Sequence, residues 1–201
     1  MSLDSIREKL GYQPLLLGVV ALAASAALAF ANTATKDHIA AAEARDMQMS
    51  LAQVLPEGFA DNDLLADVIE MDGPKGKLKV HVAKKDGKTV GAVFQMAERG
   101  YAADIVCLMA VDAKGSLLGV RVLKHSETPG LGDKIEIGKN PWIESFKGKS
   151  LQEPVPARWG VKKDGGVFDQ FAGATITPRA VVKAVKGGLE FFESHKQQIL
   201  G

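Results

Sequence analysis

The longest apolar segment of this chain lies near its N-terminus. No charged residue occurs between Lys9 and Lys36, and residues 14–31 are almost wholly apolar. Such a run can cross a hydrocarbon core of about 30 Å as one helix. Small residues recur along it at four-residue spacing, which lets a neighbouring membrane helix pack closely. They are Ala21, Ser25 and Ala29, and again Ala23, Ala27 and Ala31. The pattern predicts a short N-terminal segment, 1–13, and a transmembrane helix, 14–32.

A cleaved signal peptide is the alternative for this segment, because Ala29-Phe30-Ala31 would serve as an A-x-A cleavage site. The uncharged run exceeds a typical signal core, and Asp4 and Glu8 offset the basic residues at positions 7 and 9. We therefore favour an uncleaved anchor. Its orientation does not follow from charge, since basic residues flank both of its ends.

In the remaining chain, 33–201, the pattern of apolar and polar residues predicts helices and strands that form one α+β domain. Helix continues from about residue 35 to 55 and ends at Pro56-Glu57-Gly58. Residues 77–82 and 89–94 form one predicted hairpin around Asp86-Gly87, and residues 105–111 and 117–123 form another. Residues 159–168 are predicted to form a last short hairpin. Clustered hairpins followed by a terminal helix are typical of an antiparallel sheet with helix packed on it.

A long C-terminal helix is predicted from a start signal and a 3.6-residue period. Thr177 suits the N-cap, and Pro178 suits the first helical position, where its missing N–H costs nothing. Apolar residues then recur at helical spacing as far as about Glu193. They are Val181, Val185, Leu189 and Phe192.

Composition narrows the possible functions. The formal net charge is +1, with 25 basic and 24 acidic residues, which argues against a nucleic-acid surface. The single cysteine, Cys107, excludes an internal disulfide and a multi-cysteine cluster, and its apolar neighbours predict a buried structural thiol. The four histidines lack ligand spacing, so no metal site is predicted. They are His38, His81, His125 and His195.

The segment from Phe168 to Ala180 carries the candidate chemistry. It places the hydroxyl of Thr175 in a loop of small residues just before the predicted helix. A phosphate esterified there would lie near free backbone N–H groups and the positive end of the helix dipole. Gly173 permits close backbone approach, and Ala172 and Ala174 leave room for a bulky substituent. Taken alone, such a loop is more often a simple connection.

The same segment resembles the flavinylation motif of the FMN-binding domain family. That motif has an Asp, two spacer residues, a Ser or Thr, and then Gly-Ala-Thr, with FMN on the final Thr. The resemblance implies that Asp169 is the motif aspartate and that Thr175 holds FMN by a phosphoester, which leaves the flavin ring unmodified. Ala172 departs from the pattern and supplies no hydroxyl contact to the flavin. Gly173, Ala174 and Thr177 are the other cofactor-binding positions expected here.

A second motif precedes it. The string Glu-Thr-Pro-Gly-Leu-Gly makes a tight, backbone-rich turn, and it resembles a signature of the G subunit of Rnf-type electron transport complexes, whose loop lies against FMN. Its residues are Glu127, Thr128, Pro129, Gly130, Leu131 and Gly132. Tyr101 matches a further position of that family, although a half-buried core aromatic is the simpler role for it.

The resemblance covers nearly the whole chain and implies an electron relay without a catalytic side chain of its own. The expected setting is a membrane-bound, ion-translocating ferredoxin:NAD oxidoreductase complex, with other membrane subunits and a separate flavin transferase as partners. The chain would be a single-pass protein of the cytoplasmic membrane with its flavin domain on the periplasmic side. Three alternatives stay open: the C subunit of a Na⁺-translocating NADH:quinone reductase, a single-span scaffold protein without cofactor, and a stand-alone flavin reductase.

Overall fold

The computed structural model describes residues 12–201, so nearly all of the predicted N-terminal segment, 1–13, lies outside the described residues. The described residues divide into two compact units, with the boundary between residues 46 and 47. Helix α1, Tyr12–Val54, is 43 residues long. At 1.5 Å per residue that is about 65 Å. Within the described residues it is the one helix long and apolar enough to cross a membrane.

The apolar half of α1 is exposed on all sides. Leu22 and Phe30 are 73% and 77% exposed. A helix that is apolar all round and exposes those side chains suits a lipid environment. The helix also confirms the prediction that helical structure continues beyond residue 35, although the membrane boundaries of 14 and 32 stay predictions.

The second unit is built on a five-stranded antiparallel sheet whose strands follow one another in sequence order. The strands are β1, Val68–Gly73; β2, Gly76–Lys85; β3, Lys88–Arg99; β4, Asp104–Asp112; and β5, Leu117–Lys124. The first two predicted hairpins, at residues 77–94 and 105–123, are confirmed. Asp86 and Gly87 have φ of 52° and 74°, the left-handed pair that a two-residue hairpin turn requires. Strand β1 was not predicted, because its short edge segment mixes acidic and apolar residues without clear alternation.

Both faces of the sheet are covered, and side chains alternate between them. Phe94 and Met109 point toward helix α2, Ile176–Leu200, whereas Val93 and Leu108 point to the opposite face. That opposite face packs against Leu51 and Val54 from the last turns of α1, together with partly buried leucines that follow them. Alternate side chains of β3 and β4 therefore point to opposite faces of the sheet, and both faces are buried.

Helix α2 differs from its prediction at both ends. It begins at Ile176, so Thr177 is the second helical residue rather than the N-cap, and Pro178 is the third. Pro178 is still in the first turn, where N–H groups lack intrahelical acceptors. The helix continues past Glu193 to Leu200, because Ile199 is buried against the sheet domain.

The predicted hairpin at residues 159–168 is wrong. Val161 and Phe168 form a single parallel bridge, and Lys162–Asp164 form a turn of 3₁₀ helix. The rings of Trp159 and Phe168 pack on Phe146 at centroid distances of 6.3 and 4.5 Å, which folds the segment back into the core. This aromatic packing competes with regular strand pairing and prevails over it.

Cys107 is confirmed as a buried structural thiol. It is fully buried on β4, and burial raises its pKa to about 12. The thiolate, which is the reactive form, is therefore absent at neutral pH.

Two adjacent glycines of α2 provide a test of how closely the helix packs on the sheet. A Cβ at Gly188 would lie 2.1 Å from the sulfur of Met109 and 2.9 Å from Met96 Cγ, whereas a Cβ at Gly187 would meet only Met96 Cε, at 3.9 Å. We expect Gly188→Ala to lower the free energy of unfolding by about 1–3 kcal/mol through overpacking. Gly187→Ala should raise it by about 0.5–1 kcal/mol through helix propensity. Denaturant unfolding of both variants checks this; equal effects would contradict the close packing.

Candidate functional site

A cavity of about 470 Å³ collects most of the predicted site residues. Three segments that are distant in sequence form its walls: the turn after β3, the loop after β5, and the segment that leads into α2. The lining residues are Tyr101, Glu127, Thr128, Leu131, Gly132, Gly173, Ala174, Thr175, Ile176 and Thr177. Of these, Ile176 alone was not predicted. In the sequence, Ile176 is an ordinary apolar residue next to a predicted helix start, and nothing about it indicated a binding role.

A second cleft, of about 500 Å³, lies between the sheet and α2, with Leu78, Met96 and Lys183 in its lining. It is slightly larger, but none of the motif residues reaches it. The chemistry predicted from the sequence therefore belongs to the first cavity.

Thr175 stands at the edge of that cavity, immediately before α2. It is half-buried, and within the described structure its hydroxyl makes no capping hydrogen bond to the helix. Gly173, with φ of 79°, turns the chain just before it, and the Ala174 N–H donates to the carbonyl of Phe171 at 3.2 Å. This turn places Thr175 directly before the first turn of α2, whose N–H groups have no intrahelical acceptors.

Thr177 has a different role from the one predicted for it. It is 1% exposed, and its hydroxyl donates a short hydrogen bond to the carboxylate of Glu127. The helix cap therefore does not come from this hydroxyl. The period and the Thr-Pro pair indicated a helix start correctly to within two residues, but a contact 50 residues away in sequence decided what the hydroxyl does.

Glu127 is buried at the base of the cavity. It is 5% exposed, and besides Thr177 its carboxylate accepts the backbone N–H groups of Tyr101 at 3.0 Å and Ala102 at 3.3 Å. The motif indicated that Glu127 belongs to the site. The sequence contained no signal that its partners would be protein groups from two other segments.

The side chain of Tyr101 lies outside the core. It is 68% exposed and lines the mouth of the cavity, so the interpretation as a half-buried core aromatic is wrong. Its backbone N–H donates to Glu127, and its ring is among the groups that line the cavity.

Asp169, Pro129 and Gly130 do not line the cavity. The Asp169 carboxylate is 67% exposed and pairs with Lys162 at 2.5 Å, while its backbone carbonyl accepts the Trp142 indole N–H at 2.8 Å. Asp169 thus helps to hold the loop that leads to Thr175. In the Glu127–Gly132 loop, Gly132 rather than Gly130 has the close neighbours: a Cβ there would lie 2.8 Å from Thr177 Oγ1.

A cluster of charged residues braces the loop from outside. The Nδ1 of His125 accepts the Glu127 N–H at 3.1 Å, and its Nε2 lies 2.8 Å from Glu136. Lys139 reaches both Glu136, at 3.0 Å, and Asp133, at 2.8 Å. Hydrogen bonding to Lys139, and then to His125, lowers the pKa of Glu136, and Lys139 likewise lowers the pKa of Asp133. The same carboxylates raise the pKa of Lys139, Asp133 first.

Known proteins place this site in a family. The FMN-binding domain family matches residues 100–190, a range that contains every residue of the cavity lining. The G subunit of the ion-translocating oxidoreductase complex of Cereibacter sphaeroides is 52% identical over 92% of this chain and 85% of its own length. The G subunit of the corresponding complex of Stutzerimonas stutzeri is 47% identical over 94% and 83%. A crystal structure of Shewanella oneidensis NqrC is 26% identical, covers 69% of this chain and 74% of its own, and gives a TM-score of 0.48.

The chain therefore belongs to the family formed by the G subunits of ion-translocating oxidoreductase complexes, and it carries an FMN-binding domain. The predicted α+β class, with an N-terminal apolar helix, an antiparallel sheet and a long C-terminal helix, is confirmed.

The ion pairs of Lys139 with Asp133 and Glu136 should make the stability of the fold depend on pH, and the pKa shifts give the direction. Carboxyl groups whose pKa is lowered on folding stabilise the fold above their usual pKa of about 4. That contribution is lost as the pH falls. A lysine whose pKa is raised on folding stabilises the fold below a pH of about 10, and that contribution is lost as the pH rises further. We expect Lys139→Met to lower the melting temperature most between roughly pH 5 and 9, with the gap closing at both extremes. Lys134→Met, at a lysine without a carboxylate partner among the described residues, is the control. A difference in melting temperature that does not change with pH would contradict a stabilising role for the Lys139 ion pairs.

Proposed function

We propose that this chain is an electron-relay subunit of a membrane-bound, ion-translocating oxidoreductase complex of the Rnf type. It carries FMN as a phosphoester on Thr175. The observation that carries the proposal is the position of the Thr175 hydroxyl, uncapped at the edge of a cavity and directly before α2, inside the range that matches the FMN-binding domain.

The cavity suits such a cofactor by size and by chemistry. Its volume of about 470 Å³ lies within the range of roughly 300–1,000 Å³ typical of small-molecule sites. A phosphate on Thr175 would lie beside the free N–H groups and positive dipole end of α2. A Cβ at Gly173 would have only Leu131 within 4 Å, at 3.5 Å, so this part of the backbone is open to a ligand.

The residues of the chain supply binding and orientation. When bound, FMN supplies the redox chemistry. Tyr101 and Leu131 provide an aromatic ring and an apolar side chain at the cavity, and Thr128 a hydroxyl. No side chain of the cavity is required as a nucleophile or base once FMN is attached, which agrees with a relay whose catalysis belongs to the assembly.

The partners and the location follow from the family and from α1. The relatives are named as subunits of a complex, so we propose that α1 anchors the chain in the cytoplasmic membrane beside other subunits. The flavin domain lies on the extracytoplasmic side, and a separate flavin transferase attaches FMN, because the sequence has no nucleotide-processing motif. Relatives that are G subunits at up to 52% identity favour this assignment over a sodium-pumping C subunit, and the FMN-binding domain opposes a cofactor-free scaffold.

Thr175→Ala should abolish covalent FMN, because it removes the only atom to which the phosphate can be esterified at this loop position. The stability of the domain should change little, since the side chain is half-buried and uncapped. Intact-chain mass and flavin fluorescence after denaturing electrophoresis measure the result. Thr89→Ala removes a threonine hydroxyl from β3, outside the cavity lining, and should keep normal attachment. Covalent FMN retained in Thr175→Ala would refute the assignment.

The side of the membrane can be determined with a single introduced thiol. Cys107 does not react, because it is fully buried and its pKa is about 12. Lys114→Cys would place an exposed thiol in the turn between β4 and β5. We expect a membrane-impermeant maleimide to label this variant in intact spheroplasts and to leave the parent chain unlabelled. Labelling only after lysis would place the domain in the cytoplasm.

A further inference from the structure

We propose that Glu127 is the positioning residue of the cavity, and that it sets the relative places of Thr175 and Tyr101 before any flavin is attached. This inference rests on the proposed function, in that the cavity is taken as the FMN site. Glu127 would act through protein groups rather than through contact with the reacting atoms.

The first observation is that one carboxylate joins all three walls. From the loop after β5 it accepts N–H groups of the turn after β3, at Tyr101 and Ala102, and the hydroxyl of Thr177 in the first turn of α2. Thr177 lies two residues from Thr175. A shift of the carboxylate would therefore move the residue that holds the aromatic side of the cavity and the turn that presents the acceptor hydroxyl.

The second observation is that glycines make room for this carboxylate. A Cβ at Gly100 would lie 2.5 Å from Glu127 Oε1, and a Cβ at Gly132 would lie 2.9 Å from Glu127 Cβ. Real Cβ atoms do not approach so closely. Neither glycine has the positive φ that would by itself explain the absence of a side chain. The reason that the structure supplies is space for Glu127, together with Ile105 beside Gly100, at 2.8 Å, and Thr177 beside Gly132, also at 2.8 Å.

The third observation is that the backbone of Glu127 is held as firmly as its side chain. Its N–H donates to His125 Nδ1 at 3.1 Å, and His125 is fixed in turn by Glu136 at 2.8 Å. The carboxylate thus enters the cavity from a braced position, and its two N–H bonds and one hydroxyl bond replace the water that burial removes.

The test uses the full-length chain produced together with the flavin transferase. Two quantities are measured: the rate at which chains acquire FMN, followed by intact mass over time, and the visible circular dichroism of the attached flavin. The circular dichroism reports how rigidly the ring is held. Glu127→Ala leaves the N–H groups of Tyr101 and Ala102 and the Thr177 hydroxyl without their acceptor. We expect attachment to slow by about tenfold, and the circular dichroism of whatever flavin attaches to be largely lost.

Two comparisons separate positioning from general stability. Asp67 ties Asn62, at 2.6 Å, and Lys84, at 3.0 Å, far from the cavity lining. Asp67→Ala should lower the melting temperature but leave both flavin measurements unchanged. Glu127→Gln retains an oxygen that can accept the two backbone N–H groups, so it should restore most of the attachment rate and the circular dichroism.

A pair of glycine variants tests the same geometry without changing Glu127. Gly132→Ala introduces the close contacts described above, whereas a Cβ at Gly138 meets no described atom within 4 Å. We expect Gly132→Ala to resemble Glu127→Ala and Gly138→Ala to resemble the parent. If Glu127→Ala does not fold, Gly132→Ala and Thr177→Val decide the matter by the same two measurements.

The inference is overturned if a folded Glu127→Ala, Gly132→Ala or Thr177→Val chain takes up FMN at the parent rate with unchanged circular dichroism. It is overturned equally if Asp67→Ala produces the same losses. Failure of the proposed function looks different: the parent chain itself would then carry no FMN, or would carry it at a residue other than Thr175.

Discussion

A carboxylate can be buried only where hydrogen bonds replace the water it loses, and Glu127 meets this requirement with groups from three separate parts of the chain. Tyr101 lies 26 residues before it and Thr177 lies 50 residues after it. The need to satisfy one charged group therefore draws the turn after β3, the loop after β5 and the start of α2 to a single point. The cavity is the space that these three segments leave between them.

The sheet gives that point a rigid foundation. Helix α2 packs on β3 and β4 closely enough that Gly188 has no room for a side chain, and the opposite face of the sheet is closed by Leu51 and Val54. Aromatic rings between β5 and α2 fill the remaining core, where Phe146 packs against both Trp142 and Phe168. Because both ends of the Thr175 loop join this packed core, the Thr175 hydroxyl has a defined place although the loop itself is exposed.

The division of tasks along the chain fits a relay. The apolar half of α1 offers an exposed surface that suits lipid, and the second unit offers the cavity with the Thr175 hydroxyl at its edge. The one thiol is fully buried, with a pKa raised to about 12. The described residues contain no cluster of His, Cys, Asp and Glu side chains suited to a metal ion. The FMN-binding domain indicates that the chain's contribution is to hold a cofactor.

The sequence by itself determined the features that depend on neighbours in the chain: the apolar helix, four of five strands, the Asp86-Gly87 turn, and the two motifs that line the cavity. Each follows from a local period, a turn preference or a short string of residues. Only the tertiary structure decided the rest. Residues 159–168 pack by aromatic contacts instead of forming a hairpin. The ring of Tyr101 is exposed, and the hydroxyl of Thr177 donates to Glu127 instead of capping its own helix. In each case the deciding partner lies far away in sequence, where local patterns carry no information.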